Sequence, residues 1–185
     1  LDFDVLINDL PVVDALITEG TTLSRDDREN IQEEFLEQIA VDYLKDKNGP
    51  AFIMMSAQNI DRLITAQNIA DKTNRVLLQD IYTAKIAASC EVLSSRARVF
   101  MTGGDKQYEQ LQSFNDVKIG KHQIAKTPFL MCIRQSMKTY LSKLNDLISF
   151  DDGVLFYGMW KGYMEQPEMQ EFLEFMTSKG VKVHI

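Results

Sequence analysis

Histidine and cysteine are scarce in this chain of 185 residues, which contains two of each. Zinc and di-metal hydrolase sites are built from several converging His, Asp or Cys side chains. His122 and His184 are isolated, with no H-x-H pattern, and the cysteines form no C-x-x-C pair. No metal site is therefore predicted within the chain, because it lacks the ligands of a complete metalloenzyme centre.

The other scarce features are disulfide pairs, targeting segments and long apolar runs. Cys90 and Cys132 each lie in an apolar stretch, which predicts two buried free thiols and a reducing compartment. No charged segment followed by an apolar one resembles a secretory signal, and no apolar run approaches the roughly 20 residues that span a bilayer. We therefore expect a cytoplasmic protein with no membrane partner.

Phosphate-binding loops are missing as well. The sequence contains no G-x-x-x-x-G-K-[ST], no G-x-G-x-x-G and no G-x-S-x-G. These absences argue against a P-loop nucleotidase, a dinucleotide-dependent enzyme and an esterase. The formal net charge of -7 weakens a nucleic-acid partner bound by this domain alone, since free-standing nucleic-acid binders usually present a basic surface.

What the sequence does contain is a regular alternation of continuously apolar runs and segments of helical period. This pattern predicts an α/β fold, with a mostly parallel sheet that carries helices on both faces. In the first helix, Ile31, Phe35, Ile39 and Tyr43 are the predicted buried stripe. The predicted strands cover 12–18, 51–55, 75–79, 98–101, 129–133, 154–157 and 181–185, and the predicted helices cover 24–45, 59–73, 81–93, 136–147 and 167–178.

Ligands of open α/β sheets bind beyond the carboxyl ends of the strands, so the residues just after each predicted strand are the candidate site. Glu19 ends the first strand, where it is either a proton-transfer group or a solvated acid. Asn59 is suited to capping a helix, and Arg62 is suited either to a phosphate or to a surface acid. The segment around Trp160 and Lys161 suits base stacking or packing against another domain. The strand-end segments are 19–22, 56–59, 80, 135–136 and 158–162.

Four segments, in order, resemble the β-CASP family of metallo-β-lactamase-fold nucleases. The segment 13–25, with Glu19-Gly20-Thr21, is similar to the turn that closes the family's first metallo-β-lactamase segment, and 55–62 is similar to its Ser-x-Asn-Ile-x-Arg turn. The segments 153–162 and 179–185 resemble its glycine-containing loop and the strand before its motif B. The family turn often reads Glu-Ser-Thr, and Gln58 stands where a small residue is common.

The resemblance implies that residues 1–25 end a metallo-β-lactamase segment and that residues 26–185 are a β-CASP domain. Two zinc ions would then belong to a full-length parent acting on nucleic acid, RNA rather than DNA. The partner would be the metallo-β-lactamase domain, and the chain, which lacks an initial Met and ends in an apolar run, is expected to be an inactive fragment. Glu19 would be the catalytic acid that positions a motif B histidine; the substrate-binding residues would be Thr21, Ser56, Asn59, Arg62 and Lys161.

The alternative from another class is a stand-alone α/β binding or protein-interaction module without catalysis. In that reading the region around Trp160 is the surface that a partner covers. Histidine-rich metal motifs flanking this segment in the encoded parent would favour the hydrolase, and their absence would favour the interaction module.

Overall fold

The computed structural model describes residues 33–185 and four single residues before them: Asn8, Pro11, Asp14 and Ala15. The chain divides into two compact units, Leu1–Ile31 and Gln32–Ile185, and the architecture below is that of the second unit. Most of the predicted strand 12–18 lies outside the described residues. At two of its positions the prediction is wrong, because Asp14 forms a bend and Ala15 has no regular structure.

The described part of the chain contains one sheet of six strands, all of them parallel. Their order across the sheet is β3-β2-β4-β1-β5-β6, so β1 and β4 lie at its centre. The strands are β1 (Ala51–Met54), β2 (Val76–Asp80), β3 (Arg98–Phe100), β4 (Phe129–Ile133), β5 (Val154–Tyr157) and β6 (Lys182–His184).

Seven α-helices occur in the same residues, with short 3₁₀ turns at Gln112–Phe114, Gln135–Met137 and Lys161–Glu165. The predicted α/β class with a parallel sheet is confirmed. The helices are α1 (Glu33–Leu44), α2 (Ile60–Lys72), α3 (Ile81–Ser89), α4 (Asp105–Leu111), α5 (Lys121–Ile124), α6 (Lys138–Asn145) and α7 (Pro167–Ser178).

The two central strands are apolar on both sides because both faces of the sheet are covered. Every residue of β1 and β4 is buried. Phe52 and Met131 point into a core that includes α6 and α7. Ile53 and Cys132 point into a second core that includes α1 and α2. The alternation of side chains along a strand thus supplies both cores from the same two segments.

The order of the strands creates two places where neighbouring connections diverge. From β1 the chain moves through β2 to β3 at one edge; from β3 it returns to β4 and continues to β5 and β6 at the other edge. The connections that leave β2 and β4 therefore run in opposite directions, as do those that leave β1 and β5. Such a divergence opens a crevice at the carboxyl ends of the strands, where α/β proteins bind ligands.

The buried face of α1 differs from the predicted one. Phe35 is 59% exposed and Ile39 is 43% exposed, whereas Ala40 and Leu44 are buried against α2 and the sheet. Tyr43 is partly buried against the second core, and Ile31 lies outside the described residues. At Phe35 and Ile39 the prediction is wrong in phase by one residue, or about 100° around a helix. The small side chain of Ala40 allows α1 to approach α2 closely. A search for a repeat of large apolar residues overlooks a small buried residue of this kind.

A second correction concerns the cysteines. Cys132 is buried in β4, as predicted, but Cys90 is exposed at the C-cap of α3. The predicted helix 81–93 ends early, at Ser89, because Glu91 adopts a positive φ of 57° that a helix cannot continue. Cys90 consequently lies in the turn rather than on the helix's buried face. Both thiols are free.

Candidate ligand-binding cleft

A cleft of about 440 Å³ opens at the carboxyl ends of β1 and β4. This volume falls in the range of small-molecule sites, roughly 300–1,000 Å³. Its floor is rich in methionine, and its polar groups come from the turns that follow the strands. The lining residues are Met54, Met55, Ser56, Ala57, Gln58, Tyr82, Arg134, Gln135, Ser136, Met159 and Met169.

Asp80 holds residues of one wall of the cleft in position. It is the last residue of β2 and the N-cap of α3, and it is only 4% exposed. One of its carboxylate oxygens, Oδ1, accepts hydrogen bonds from the backbone N–H of Thr83 at 3.1 Å and from the Thr83 hydroxyl at 2.6 Å. The other, Oδ2, pairs with the guanidinium of Arg134. Asp80 therefore both starts α3 and fixes the direction of Arg134.

Arg134 is the cationic group of the cleft. It follows β4 directly, and its guanidinium carbon lies 4.8 Å from the centroid of the Tyr82 ring, which is 49% exposed. Its Nη1 is buried and has no hydrogen-bond partner among the described residues. A guanidinium oriented by a carboxylate and an aromatic face is well suited to a phosphate or a carboxylate, since its fork of donors matches both anions.

The thiol of Cys132, one residue before Ile133 at the end of β4, is buried in the second core. Burial, with a smaller contribution from the nearby Asp80 carboxylate, raises the pKa of this thiol to about 12, and Arg134 opposes the rise. The reactive form of cysteine is the thiolate. Cys132 therefore remains a neutral core residue beneath the cleft.

Six residues of the predicted strand-end segments line this cleft: Ser56, Ala57, Gln58, Gln135, Ser136 and Met159. Ser56 and Gln58 are exposed in the turn after β1, where the Ser56 hydroxyl accepts a hydrogen bond from the Gln58 backbone N–H at 3.3 Å. Asn59 adjoins the cleft as the N-cap of α2: its Oδ1 accepts from the Arg62 backbone N–H at 3.0 Å. Asn59 thus makes a capping contact, the simpler of its two interpretations.

The side chain of Arg62 is occupied by contacts within the protein. Its Nε donates to both oxygens of the Glu33 carboxylate, at 3.0 and 2.9 Å, and its Nη1 donates to the Gly158 carbonyl at 3.3 Å. Glu33 also accepts from the Thr65 hydroxyl at 2.8 Å. Arg62 therefore ties α1 and α2 to the end of β5, and a phosphate would have to displace these partners to reach it.

The remaining predicted residues lie elsewhere. Lys161 is exposed in the 3₁₀ turn after β5, beside Trp160, which is 60% exposed and packs edge-to-face on Tyr163 with ring centroids 5.4 Å apart. Neither Lys161 nor Trp160 lines the cleft, although their neighbour Met159 does. Glu19 and Thr21 lie outside the described residues, so their roles stay predictions.

Sequence reasoning missed Tyr82 and Arg134, the aromatic and the cationic residue of the cleft, as well as three methionines of its lining. Arg134 directly follows the predicted strand 129–133, and Tyr82 comes two residues after Asp80, so both occupy the rim where candidates were sought. Nothing in the sequence indicates that Arg134 pairs with Asp80. These two residues are 54 positions apart, and only the adjacency of β2 and β4 brings them together.

Within residues 33–185, the potential metal ligands are scattered. Among the described residues there is no group of three His, Cys, Asp or Glu that converges on one point. His184 lies in edge strand β6, whereas His122 follows Lys118, which pairs with the opposite edge strand β3. The two histidines are separated by the width of the sheet, so they cannot share an ion.

The described residues form an α/β fold with a cleft at the carboxyl edge of its sheet. Comparison with the models of known protein families and with curated protein sequences finds no match to the chain. Within the described residues, no helix has the length and apolar character needed to cross a membrane.

Proposed function

We propose that this chain is the β-CASP domain of a two-zinc metallo-β-lactamase-fold hydrolase. In this proposal the cleft described above binds RNA and forms one wall of the complete enzyme's substrate site. Four segments in the family's order support the proposal, together with the parallel α/β sheet that the family resemblance implies. The observation that carries it is the cleft at the carboxyl ends of β1 and β4, where Ser56, in the family-like turn, faces the same space as Arg134.

The contacts that this cleft offers suit a sugar–phosphate backbone. Arg134 supplies one guanidinium for a phosphate, and the hydroxyls of Ser56 and Ser136 supply further donors. The exposed ring of Tyr82 offers a face for a base, while Met54 and Met159 provide apolar contact. Binding of this kind positions a strand without reading its sequence.

The zinc ions would be held by residues outside this chain, and they would supply the water-activating chemistry of the complete enzyme. In this proposal the chain contributes positioning alone. The purified 185-residue chain should therefore bind no stoichiometric zinc and cleave no RNA, as measured by metal analysis after dialysis and by gel assay of a labelled RNA. Tight zinc binding or RNA cleavage by the chain would contradict the proposal that the metal site lies outside it.

The sharper test uses arginine variants at opposite edges of the sheet. Arg134→Met should weaken RNA binding by about tenfold, the loss expected for one charge-assisted contact, and Arg134→Lys should recover part of it. Arg96→Met is the matched control, because Arg96 precedes β3 at the amino edge and pairs with Asp71 at 3.1 Å. Equal affinities of the two methionine variants, with both folded by circular dichroism, would refute the cleft as the RNA site.

A second candidate function rests on the exposed aromatic pair. Trp160 and Tyr163 are 60% and 38% exposed, and aromatic residues are enriched at the centres of protein interfaces. An interaction module would lose its protein partner in Trp160→Ala and would bind no RNA in the unsubstituted form. The hydrolase domain would retain RNA binding at the cleft in the same variant.

A further inference from the structure

A second pocket, of about 450 Å³, lies at the carboxyl end of edge strand β3. Met101, Thr102 and Gly103 follow β3 on one side, and Lys118 approaches from the other through a parallel bridge to Val99. Because every strand of the described sheet is parallel, the pocket faces the same edge of the sheet as the cleft. Neighbouring strands lie about 4.8 Å apart, so the pocket at β3 lies roughly 10–15 Å from the cleft at β4 and β1, which are two and three strands away.

The charge of the described lining of this pocket is opposite to the net charge of the whole chain. The net charge of the protein is -7, yet the described lining residues include Lys118 and Lys121 and no carboxylate. The Lys118 ammonium donates to the Asn115 side-chain oxygen at 2.8 Å, and the Lys121 ammonium lies 5.2 Å from the centroid of the Tyr140 ring. Two cations held by neutral groups leave their charge available to an anion.

The rest of the lining is apolar or aromatic. Leu111 and Ile119 contribute aliphatic surface, Tyr108 is 60% exposed at the pocket, and the ring of Tyr140 stacks on Phe100 at 5.0 Å. The hydroxyl of Tyr140 is buried without a hydrogen-bond partner among the described residues. A flat apolar group attached to an anion would match both halves of this lining.

We propose that the pocket between Lys118, Lys121 and Tyr108 binds a nucleoside phosphate. The phosphate contacts the two ammonium groups, and the base lies against the tyrosine. The ligand is either a free nucleotide or one nucleotide of a strand whose other part occupies the cleft. Binding of one nucleotide of an RNA strand rests on the proposed function, whereas binding of a free nucleotide does not.

The test measures binding of adenosine 5′-monophosphate, adenosine and a short oligoadenylate to the 185-residue chain by titration calorimetry. Lys121→Gln and Lys118→Gln should each raise the dissociation constant by about three- to tenfold, as expected for partly exposed charge contacts. Lys126→Gln is the matched control, since Lys126 is nearby in the chain and does not line the pocket. Adenosine should bind more weakly than its monophosphate.

The outcomes separate the two sources of the ligand. Saturable binding of the mononucleotide that weakens in Lys121→Gln supports a free-nucleotide site. Weakening that is confined to the oligoadenylate supports a strand contact. Lysine variants that match Lys126→Gln with both ligands, or adenosine that binds as tightly as the monophosphate, overturn the proposal. If Arg134→Met does not weaken RNA binding while Lys121 variants do lose the mononucleotide, only the proposed function of the cleft fails.

Discussion

The ion pair between Asp80 and Arg134 should be a main determinant of stability at the carboxyl edge, and Asp80→Ala tests this. Removal of the side chain deletes the N-cap of α3, which is worth about 1 kcal/mol. It also leaves the Arg134 charge without its partner. For fully buried pairs that loss is roughly 3–5 kcal/mol, and because the Arg134 side chain is 29% exposed we expect about 2 kcal/mol.

Asp80→Ala should thus lower the free energy of unfolding by about 3 kcal/mol in total, which corresponds to a fall in Tm of about 6–12 °C for a domain of this size. The measurement is urea unfolding followed by circular dichroism, with a thermal scan beside it. The control is Glu171→Ala, which removes an exposed acid from its pair with Lys138 and should produce no measurable change.

A double-mutant cycle separates the pair from the cap. Arg134→Met alone leaves a buried carboxylate unmatched, so adding it to Asp80→Ala should cost less than it does in the unsubstituted chain, by about 2 kcal/mol. The reasoning is refuted if the two substitutions add, or if Asp80→Ala is no more destabilising than Glu171→Ala. Additivity would mean that the pair is solvated and contributes nothing beyond the cap.

Two further perturbations follow from the packing around the strands. In Gly158→Ala, the new Cβ would lie 2.8 Å from the Met54 carbonyl oxygen and against the Arg62 guanidinium, so we expect about 2 kcal/mol of destabilisation by urea unfolding, and an unchanged stability would contradict this close approach. The raised pKa of Cys132 makes stability fall as pH rises from about 9 towards 12, because the unfolded thiol loses its proton in that range and the folded one keeps it. The pH dependence of the urea midpoint should be shallower in Cys132→Ala. In the folded chain, a thiol reagent should modify Cys90 and spare Cys132.

Some elements could be predicted from local sequence alone. Strand β5 has the predicted bounds, since Gly153 and Gly158 enclose an apolar run of four residues. Helix α7 also has its predicted bounds, with Pro167 in its first turn. In both cases the stop signals lie within the element's own neighbourhood, so no long-range contact is needed to place its ends.

Other features depend on contacts that local patterns do not record. The position of β4 between β1 and β2 follows from which strands pair, and no residue in 129–133 specifies a neighbour. The same limit applies to the cleft. Ser56 was recognised by its place after a strand, whereas Arg134 gains its role only from a carboxylate on a strand that lies beside it in space.

Net charge is an average over the whole chain, and it does not record which charged side chains line a given pocket. The acids Glu33, Glu34, Glu37 and Asp61 line a separate depression between α1 and α2. Arg134 lines the cleft, and Lys118 and Lys121 line the second pocket; none of the four acids lines either one. At physiological ionic strength the Debye length is about 8 Å, so acids beyond that distance have little influence on an anion in either pocket. The total of -7 therefore does not by itself give the charge that a ligand would meet in either pocket, because that charge depends mainly on the lining side chains and their close neighbours.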